Sequence, residues 1–154
     1  MEMPKPGKEQ AKLAIFEGVF EGPEKLYPTP YMPEGGTRTG TMRAKMTLGG
    51  FFLEIKYVQK DGRKKTYEGL GMAGFDPKNK SYTMAWFDEM GGGTDAPSTG
   101  TVKGKKLQVS SKEEHGTMRY TWTLSGENTM KFLMELGTPD GQWAKIHTGT
   151  YTRK

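Results

Sequence analysis

The chain contains no cysteine, which excludes a disulfide framework and a thiolate metal site. It contains only two histidines, His115 and His147, so a metal or heme site has few side chains to draw on. No stretch approaches the roughly 20 apolar residues of a membrane-spanning helix, and residues 1–10 lack the basic and then apolar pattern of a leader. We therefore expect a cytoplasmic protein that has no membrane partner and is stabilised by packing alone.

Several catalytic motifs are missing as well. The sequence has no glycine-rich phosphate loop between a strand and a helix, no Gly-x-Ser-x-Gly turn and no His-Glu-x-x-His pair. The sequence therefore gives no motif that would indicate a hydrolase or a nucleotide-dependent enzyme, and we predict no cofactor from motifs.

Length and composition favour one all-β domain. The 154 residues match the size of an ordinary domain, so we predict a single domain over residues 1–154. Only 33% of the residues are hydrophobic, whereas 22 are glycine and 11% are aromatic, which is typical of short strands joined by tight turns. Residues 1–12 are predicted to be a tail or a short helix. Residues 10–16 fit an amphipathic helical turn, with Leu13, Ile15 and Phe16 available for burial.

The formal net charge of +5 does not by itself indicate a nucleic-acid partner, because 23 basic residues are interleaved with 18 acidic ones. The densest basic groups lie beside glycines in predicted hairpin turns, and they are Arg63, Lys64 and Lys65, and Lys103, Lys105 and Lys106. Turns normally face water. We interpret these groups as solvated turns and predict no nucleic-acid binding.

Alternation with a period of two predicts strands along most of the chain. Residues 36–46 place four small or apolar side chains on one face, namely Gly40, Met42, Ala44 and Met46. Residues 81–88 do the same with Tyr82, Met84, Trp86 and Asp88. Between two such runs, Asp61-Gly62 favours a two-residue hairpin turn, because both residues tolerate positive φ.

Continued to the C-terminus, this pattern predicts about ten antiparallel strands in simple succession. A meander of that size avoids exposed edges by closing, so we predict a closed up-and-down barrel. The low hydrophobic fraction favours a partly polar interior over the dry core of a sandwich. Glycines within strands, such as Gly69, Gly71 and Gly74, indicate sharp bends or the close approach of another backbone.

Residues 20–36, FEGPEKLYPTPYMPEGG, contain four of the nine prolines and no run that suggests helix or strand pairing. We expect a long proline-rich loop across one mouth of the barrel, ordered at reduced entropic cost by its prolines. Tyr27 and Tyr31 are expected to point into the opening. The loop is either an aromatic plug or a ligand lid, and the sequence leaves both roles open.

Four segments resemble a known bacterial family, and they are FEGVFEGPEKLYPTPYMPEGGTRTGTM, GGFFLEIKYVQKDG, GLGMAGFDPKNKSYTMAWFDEMG and GTYTRK. On these segments the chain is similar to domain of unknown function 1579, over residues 13–153. The resemblance implies a calycin-like antiparallel barrel, related in shape to lipocalins, fatty-acid-binding proteins and the heme-binding nitrobindins. It implies no activity, since function does not follow from fold.

Asp88 and His147 are the candidate polar groups of a cavity. Asp88 shares a strand face with Trp86. A carboxyl lined by aromatic rings would have a raised pKa and act as a base. An Asp at a strand end is more often a turn cap, and we favour that role for Asp88. His147 is expected on one face with Trp143, Gly149 and Tyr151. Heme ligation by His147, as in nitrobindin-like barrels, is the less favoured alternative to a packed or hydrogen-bonded histidine.

Three arginines are candidates for holding an anionic ligand. Tyr151 and Arg153 share one side of the last predicted strand, loosely like the Arg and Tyr pair that holds a carboxylate in fatty-acid-binding barrels. Arg119 and Arg43 are rival cations, and each of the three fits the outer face equally well.

We therefore predict a binding module that holds a small hydrophobic or amphipathic molecule, entered under residues 21–33. The candidate ligand-binding residues are Tyr27, Tyr31, Tyr57, Trp86, Asp88, Arg119, Tyr120, His147 and Tyr151. Alternatives are an enzyme that uses Asp88 or His147 as a general base, a heme-binding barrel through His147, and a scaffold without ligand. A homodimer is compatible with the scaffold alternative.

Overall fold

The computed structural model describes residues 1–93 and 95–154, and in this part of the chain it has one α-helix and ten strands. Helix α1 spans Lys8–Ala14. The strands are β1 (Gly18–Leu26), β2 (Gly36–Thr47), β3 (Phe52–Asp61), β4 (Lys64–Asp76), β5 (Ser81–Asp88), β6 (Ser98–Lys103), β7 (Lys106–Glu113), β8 (Gly116–Ser125), β9 (Thr129–Gly137) and β10 (Trp143–Arg153).

The ten strands form a closed barrel. Each strand pairs antiparallel with its neighbours in the chain, and β10 pairs with β1 to complete the ring. This confirms the predicted up-and-down barrel. Because the ring is complete, each of these strands has a hydrogen-bonded neighbour on both sides.

Strand β1 corrects the prediction that residues 20–36 form no paired strand. It continues through Pro23 to Leu26 and pairs with β2 over its whole length, from Gly18 opposite Ala44 to Leu26 opposite Gly36. Pairing with β10 is interrupted at Gly22 and Pro23 and resumes at Glu24. Proline removes a single N–H donor, and here the flanking ladders carry the strand past it. The loop is therefore confined to residues 27–35.

Helix α1 lies at the end of the barrel where β3 begins and β4 ends, and it contacts both of these strands. It starts earlier than predicted, at Lys8, where the Gln10 side chain accepts a hydrogen bond from the Gly7 N–H at 2.8 Å. Leu13 and Phe16 are buried as expected, whereas Ile15 is exposed. The described residues contain no helix with the length and hydropathy of a membrane span.

The predicted alternation is confirmed on the strand faces. Near α1 the interior is packed with buried apolar side chains, which are Phe20, Leu53, Leu107, Val109, Leu124 and Met130. The opposite end carries the loop of residues 27–35 and the β3–β4, β5–β6, β7–β8 and β9–β10 connections. We call this the open end, because the interior there is not filled.

Candidate functional site

A cavity of about 450 Å³ occupies the half of the barrel nearest the open end. Its wall is mainly aromatic and methionine, with four lining residues that carry other polar groups. The aromatic residues are Tyr57, Tyr67, Trp86, Tyr120, Trp122, Phe132 and Tyr151. The methionines are Met42, Met84, Met90 and Met134, and the other polar residues are Gln59, Asp88, Ser98 and His147.

A buried carboxylate, Glu24, lies directly behind one wall of this cavity. Its Oε2 accepts hydrogen bonds from the Tyr57 hydroxyl at 2.6 Å and the Tyr151 hydroxyl at 2.5 Å. Its Oε1 accepts one from Gln59 Nε2 at 3.2 Å. The Glu24 side chain has no exposed surface. We refer to Glu24, Tyr57, Gln59, His147 and Tyr151 as the Glu24 cluster.

The Glu24 cluster keeps its carboxyl ionised. Burial alone would raise the pKa of Glu24, but His147, Tyr151 and Tyr57 outweigh burial and hold it below the ordinary value of 4.5. Burial and the adjacent Glu24 charge raise the pKa of both the Tyr57 and the Tyr151 hydroxyls. Both phenols are therefore neutral donors at physiological pH.

His147 faces the barrel interior together with Tyr151, and a bulge in β10 lies immediately before it. The pairing with β9 shifts between Lys145 and His147, so that one extra residue is inserted in β10. The residues of β10 that precede the bulge therefore point to the opposite face from the one that regular alternation predicts. Trp143 lies outside the barrel, 42% exposed, and does not share the face of His147 and Tyr151 as predicted.

The Nε2 atom of His147 is not placed to bind a heme iron. Its Nε2 is buried and lies 3.1 Å from Glu24 Oε2, an ion-pair distance without the alignment of a hydrogen bond. This nitrogen faces the wall, not the space where an iron atom would lie. The other histidine, His115, is 85% exposed in the β7–β8 turn. Within residues 1–93 and 95–154, no three His, Asp or Glu side chains are grouped to hold a metal ion.

Asp88 is a turn cap at the rim of the cavity. Its Oδ1 accepts hydrogen bonds from the Met90 N–H at 3.0 Å and the Gly92 N–H at 3.1 Å. Its Oδ2 accepts one from Tyr67, which in turn accepts from Trp86 Nε1 at 2.7 Å. The Gly92 N–H, helped by Tyr67 and Met90, lowers the pKa of Asp88. The favoured cap is thus present, and the raised pKa that we considered for this carboxyl is wrong.

Glycines make room for the aromatic wall. A Cβ atom at Gly69 would overlap the Trp86 ring, and one at Gly71 would come within 2.9 Å of it. On the other side of the barrel, a Cβ atom at Gly40 would collide with Glu24, and one at Gly149 would collide with the Tyr151 hydroxyl. The group that approaches Gly69 and Gly71 closely is therefore a tryptophan side chain and not the second backbone that we expected.

Six of the nine predicted ligand-binding residues line the cavity, which are Tyr57, Trp86, Asp88, Tyr120, His147 and Tyr151. Tyr31 does not point into the opening as expected, because it is fully exposed. Tyr27 also lies away from the cavity lining, and its ring packs against the ammonium of Lys25 on the outer surface, 4.6 Å away. Both tyrosines belong to a loop that sits on the rim.

The predicted cations do not reach the cavity. Arg119 faces outwards, where it bonds Glu135 at 2.9 Å and its guanidinium stacks 3.6 Å from the centre of the Trp143 ring. Arg153 lies at the α1 end, where it donates to the Glu17 and Glu127 carbonyls. Arg43 is on the face of β2 opposite Met42 and Ala44. The carboxylate-holding pair of fatty-acid-binding barrels is therefore not reproduced.

Sequence reasoning missed Glu24, Gln59 and Tyr67. Glu24 follows Phe20 on the same period-two face, but Pro23 obscured the strand that carries it. Gln59 continues the alternation of Leu53, Ile55 and Tyr57. The alternation was therefore the available signal for both residues.

A family model described as "Protein of unknown function (DUF1579)" matches residues 5–153. None of the curated proteins matches the chain. Among solved structures, Rv2717c from M. tuberculosis is similar, with a TM-score of 0.71 and 9% identity over 96% of this chain and 98% of that one. At such identity the likeness shows the fold alone. A de novo designed fluorescence-activating β-barrel aligns over 94% of this chain and 98% of its own at 14% identity, with a TM-score of 0.48, too low to carry weight.

Proposed function

Because the chain belongs to the DUF1579 family, whose description gives no activity, we propose a function from the site itself, namely reversible binding of a small, mostly apolar molecule in the barrel cavity. The observation that carries the proposal is the volume of about 450 Å³, within the roughly 300–1,000 Å³ of small-molecule pockets. The aromatic and methionine wall supports an apolar ligand body, because such side chains gain most from contact with apolar surface.

The polar groups of the cavity support binding more than catalysis. Asp88 is occupied by two backbone N–H groups and by Tyr67, and its pKa is lowered by the Gly92 N–H first of all, which makes it a weak base. The buried Nε2 of His147 faces Glu24. A general base needs a free acceptor directed at the ligand.

A cavity-filling substitution tests the proposal. Ser98 lines the cavity from β6, whereas its neighbour Thr99 is exposed on the outer face. We expect Ser98→Phe to weaken binding of the neutral fluorophore N-phenylnaphthylamine by at least about tenfold, since the added ring occupies the same space. Thr99→Phe adds the same ring outside and serves as the matched control.

The measurement is a fluorescence titration of both variants and the wild type, with circular dichroism to verify that each is folded. Equal affinities in all three folded proteins, or no saturable binding by the wild type, would contradict the proposal. Native mass spectrometry of protein purified from its own host then supplies the mass of the natural ligand.

A further inference from the structure

The described residues that line the cavity include an acidic side chain but no lysine or arginine. Among the described lining residues none is Lys or Arg, whereas Asp88 lines the rim and Glu24 lies directly behind the wall. The Nε2 of the lining His147 lies 3.1 Å from Glu24, so this side chain is paired with a carboxylate of the protein. A desolvated anion in direct contact with these lining residues would therefore meet no lysine or arginine that could balance its charge.

Arg38 faces inwards near this wall, as the register partner of Glu24 on β2. Its guanidinium donates to the Thr37 carbonyl at 2.8 Å and lies 3.8 Å from Asp61. It is not among the residues that line the cavity. Its Nη1 is thus paired with Asp61 at the open end, whereas its buried Nε has no hydrogen-bond partner among the described residues.

Four hydrogen-bond donors of the wall are already engaged inside the protein. The Tyr57 and Tyr151 hydroxyls donate to Glu24. Trp86 Nε1 donates to Tyr67, and the Tyr67 hydroxyl donates to Asp88. A carboxylate ligand needs several donors to replace its hydration, and these groups cannot supply them without breaking internal bonds.

The aromatic rings form two groups on opposite sides of the barrel. Tyr57 lies 5.9 Å from Tyr67 and 6.3 Å from Trp86 between ring centres, on β3, β4 and β5. Across the ring of strands, on β8 and β9, the centre of Trp122 lies 5.2 Å from that of Phe132. Aromatic faces carry partial negative charge and attract cations, most strongly where water is excluded.

We propose that the cavity selects a ligand with an apolar or aromatic body and a positively charged amine, and that it discriminates against carboxylates. The proposal deepens the proposed function and depends on it. Aromatic faces on two sides accommodate the body, and the ionised carboxylates Asp88 and Glu24 favour the cation.

Three probes with the same ring test the charge preference, namely naphthylethylammonium, naphthylethanol and naphthylacetate. Each is titrated at neutral pH and low ionic strength against wild-type protein saturated with N-phenylnaphthylamine, and displacement is followed by fluorescence. We expect the ammonium probe to bind at least about tenfold more tightly than the carboxylate, with the alcohol between them.

A pair of variants separates local charge from net charge. Asp88→Asn removes the rim charge and keeps an oxygen that can cap the turn, so the preference for the ammonium probe should fall about threefold or more. Asp76→Asn is the control, because Asp76 also caps a strand-end turn, by accepting from Lys78 and Asn79, but at the α1 end. It should leave the preference unchanged.

The outcomes distinguish the two proposals. A carboxylate that displaces the fluorophore as well as the ammonium does, failure of all three probes to displace it, or equal effects of the two Asn variants, overturns the charge preference and leaves small-molecule binding standing. Fluorophore binding that is absent, or unchanged in Ser98→Phe, overturns the proposed function itself.

Discussion

At the scale of single residues, Glu24 is an ionised side chain in a place where apolar groups predominate. Such a group persists only when its neighbours replace the water it has lost. Tyr57, Gln59 and Tyr151 do this with four donor contacts to the two carboxylate oxygens. The same contacts fix the positions of two rings that line the cavity, so the carboxylate helps to set the shape of the wall.

Replacing Glu24 by Gln should destabilise the protein most at neutral pH. Glutamine keeps the shape but offers one acceptor oxygen and adds donors that face the tyrosine donors, and we expect a loss of about 2–3 kcal/mol in the free energy of unfolding. Because the folded pKa of Glu24 lies below 4.5, the stability contributed by its ionisation is present above that pH and is lost as the pH falls through the folded pKa.

Urea unfolding of the wild type and the variant at a series of pH values from about 7 to 3 measures this difference, which should shrink in the acidic range. Glu21→Gln is the control, since Glu21 lies on the same strand but pairs with Lys154 at the surface. It should change stability little at any pH. A Glu24→Gln deficit that grows on acidification would contradict the assignment.

At the scale of secondary-structure elements, β4 and β5 form one wall of the cavity. Glycines on β4, which have no side chain, face a large side chain on β5. Trp86 on β5 lies over Gly69 and Gly71 on β4, and its ring fills the space that two side chains would otherwise take. Gly74, farther along β4, has a similar relation to the ring of Phe52, but on the outer face. Strand β4 therefore has glycines that accommodate an aromatic ring on its inward face, and another glycine that does so on its outward face.

Substituting alanine at each of these glycines should separate stability from binding. We expect Gly69→Ala and Gly74→Ala each to cost about 1–3 kcal/mol, because the new methyl group crowds a ring. Only Gly69→Ala should also weaken N-phenylnaphthylamine binding, since it displaces Trp86 and strains its bond to Tyr67. Urea unfolding and fluorophore titration on both variants provide the test, and equal binding losses would argue against a wall set by Trp86.

The elements also show what sequence periodicity can and cannot predict. Regular alternation identified the inward face of β5, including Trp86 and Asp88, because an uninterrupted strand keeps its phase. The bulge in β10 inserts one residue without a turn signal, so Trp143 was assigned to the wrong face. In β1, Pro23 suggested a loop, although pairing across a single proline costs only one donor, and Glu24 was lost with the strand.

At the scale of the whole molecule, the barrel has a packed half near α1 and a hollow half near the open end. Leu13 and Phe16 of the N-terminal segment join the packed core, which supports the barrel from one end. The rings and the Glu24 cluster line the other half. The closure of the barrel and the number of strands were predictable from the spacing of strands and turns along the sequence. The location of the cavity depends on the side-chain volumes of all ten strands together, so no local sequence pattern predicts it.

Ligand binding in the hollow half should stabilise the whole barrel. For one site, binding to the folded state alone adds about 2.7 kcal/mol to the free energy of unfolding when the free ligand is at 100 times its dissociation constant. We expect N-phenylnaphthylamine to give this increase in the wild type and in Thr99→Phe. Ser98→Phe at the same fluorophore concentration should show much less, and urea unfolding followed by circular dichroism measures all three.

The packing of the barrel beside α1 has a consequence for long molecules. A chain-like guest that enters from the rim meets a floor of Phe20, Leu107 and Met130, and any length beyond the depth of the chamber must project into solvent. The projecting tail is accessible to other macromolecules while the buried part stays held. Under the proposed function, a barrel with this floor would leave one end of a long ligand exposed and shield the other end from solvent.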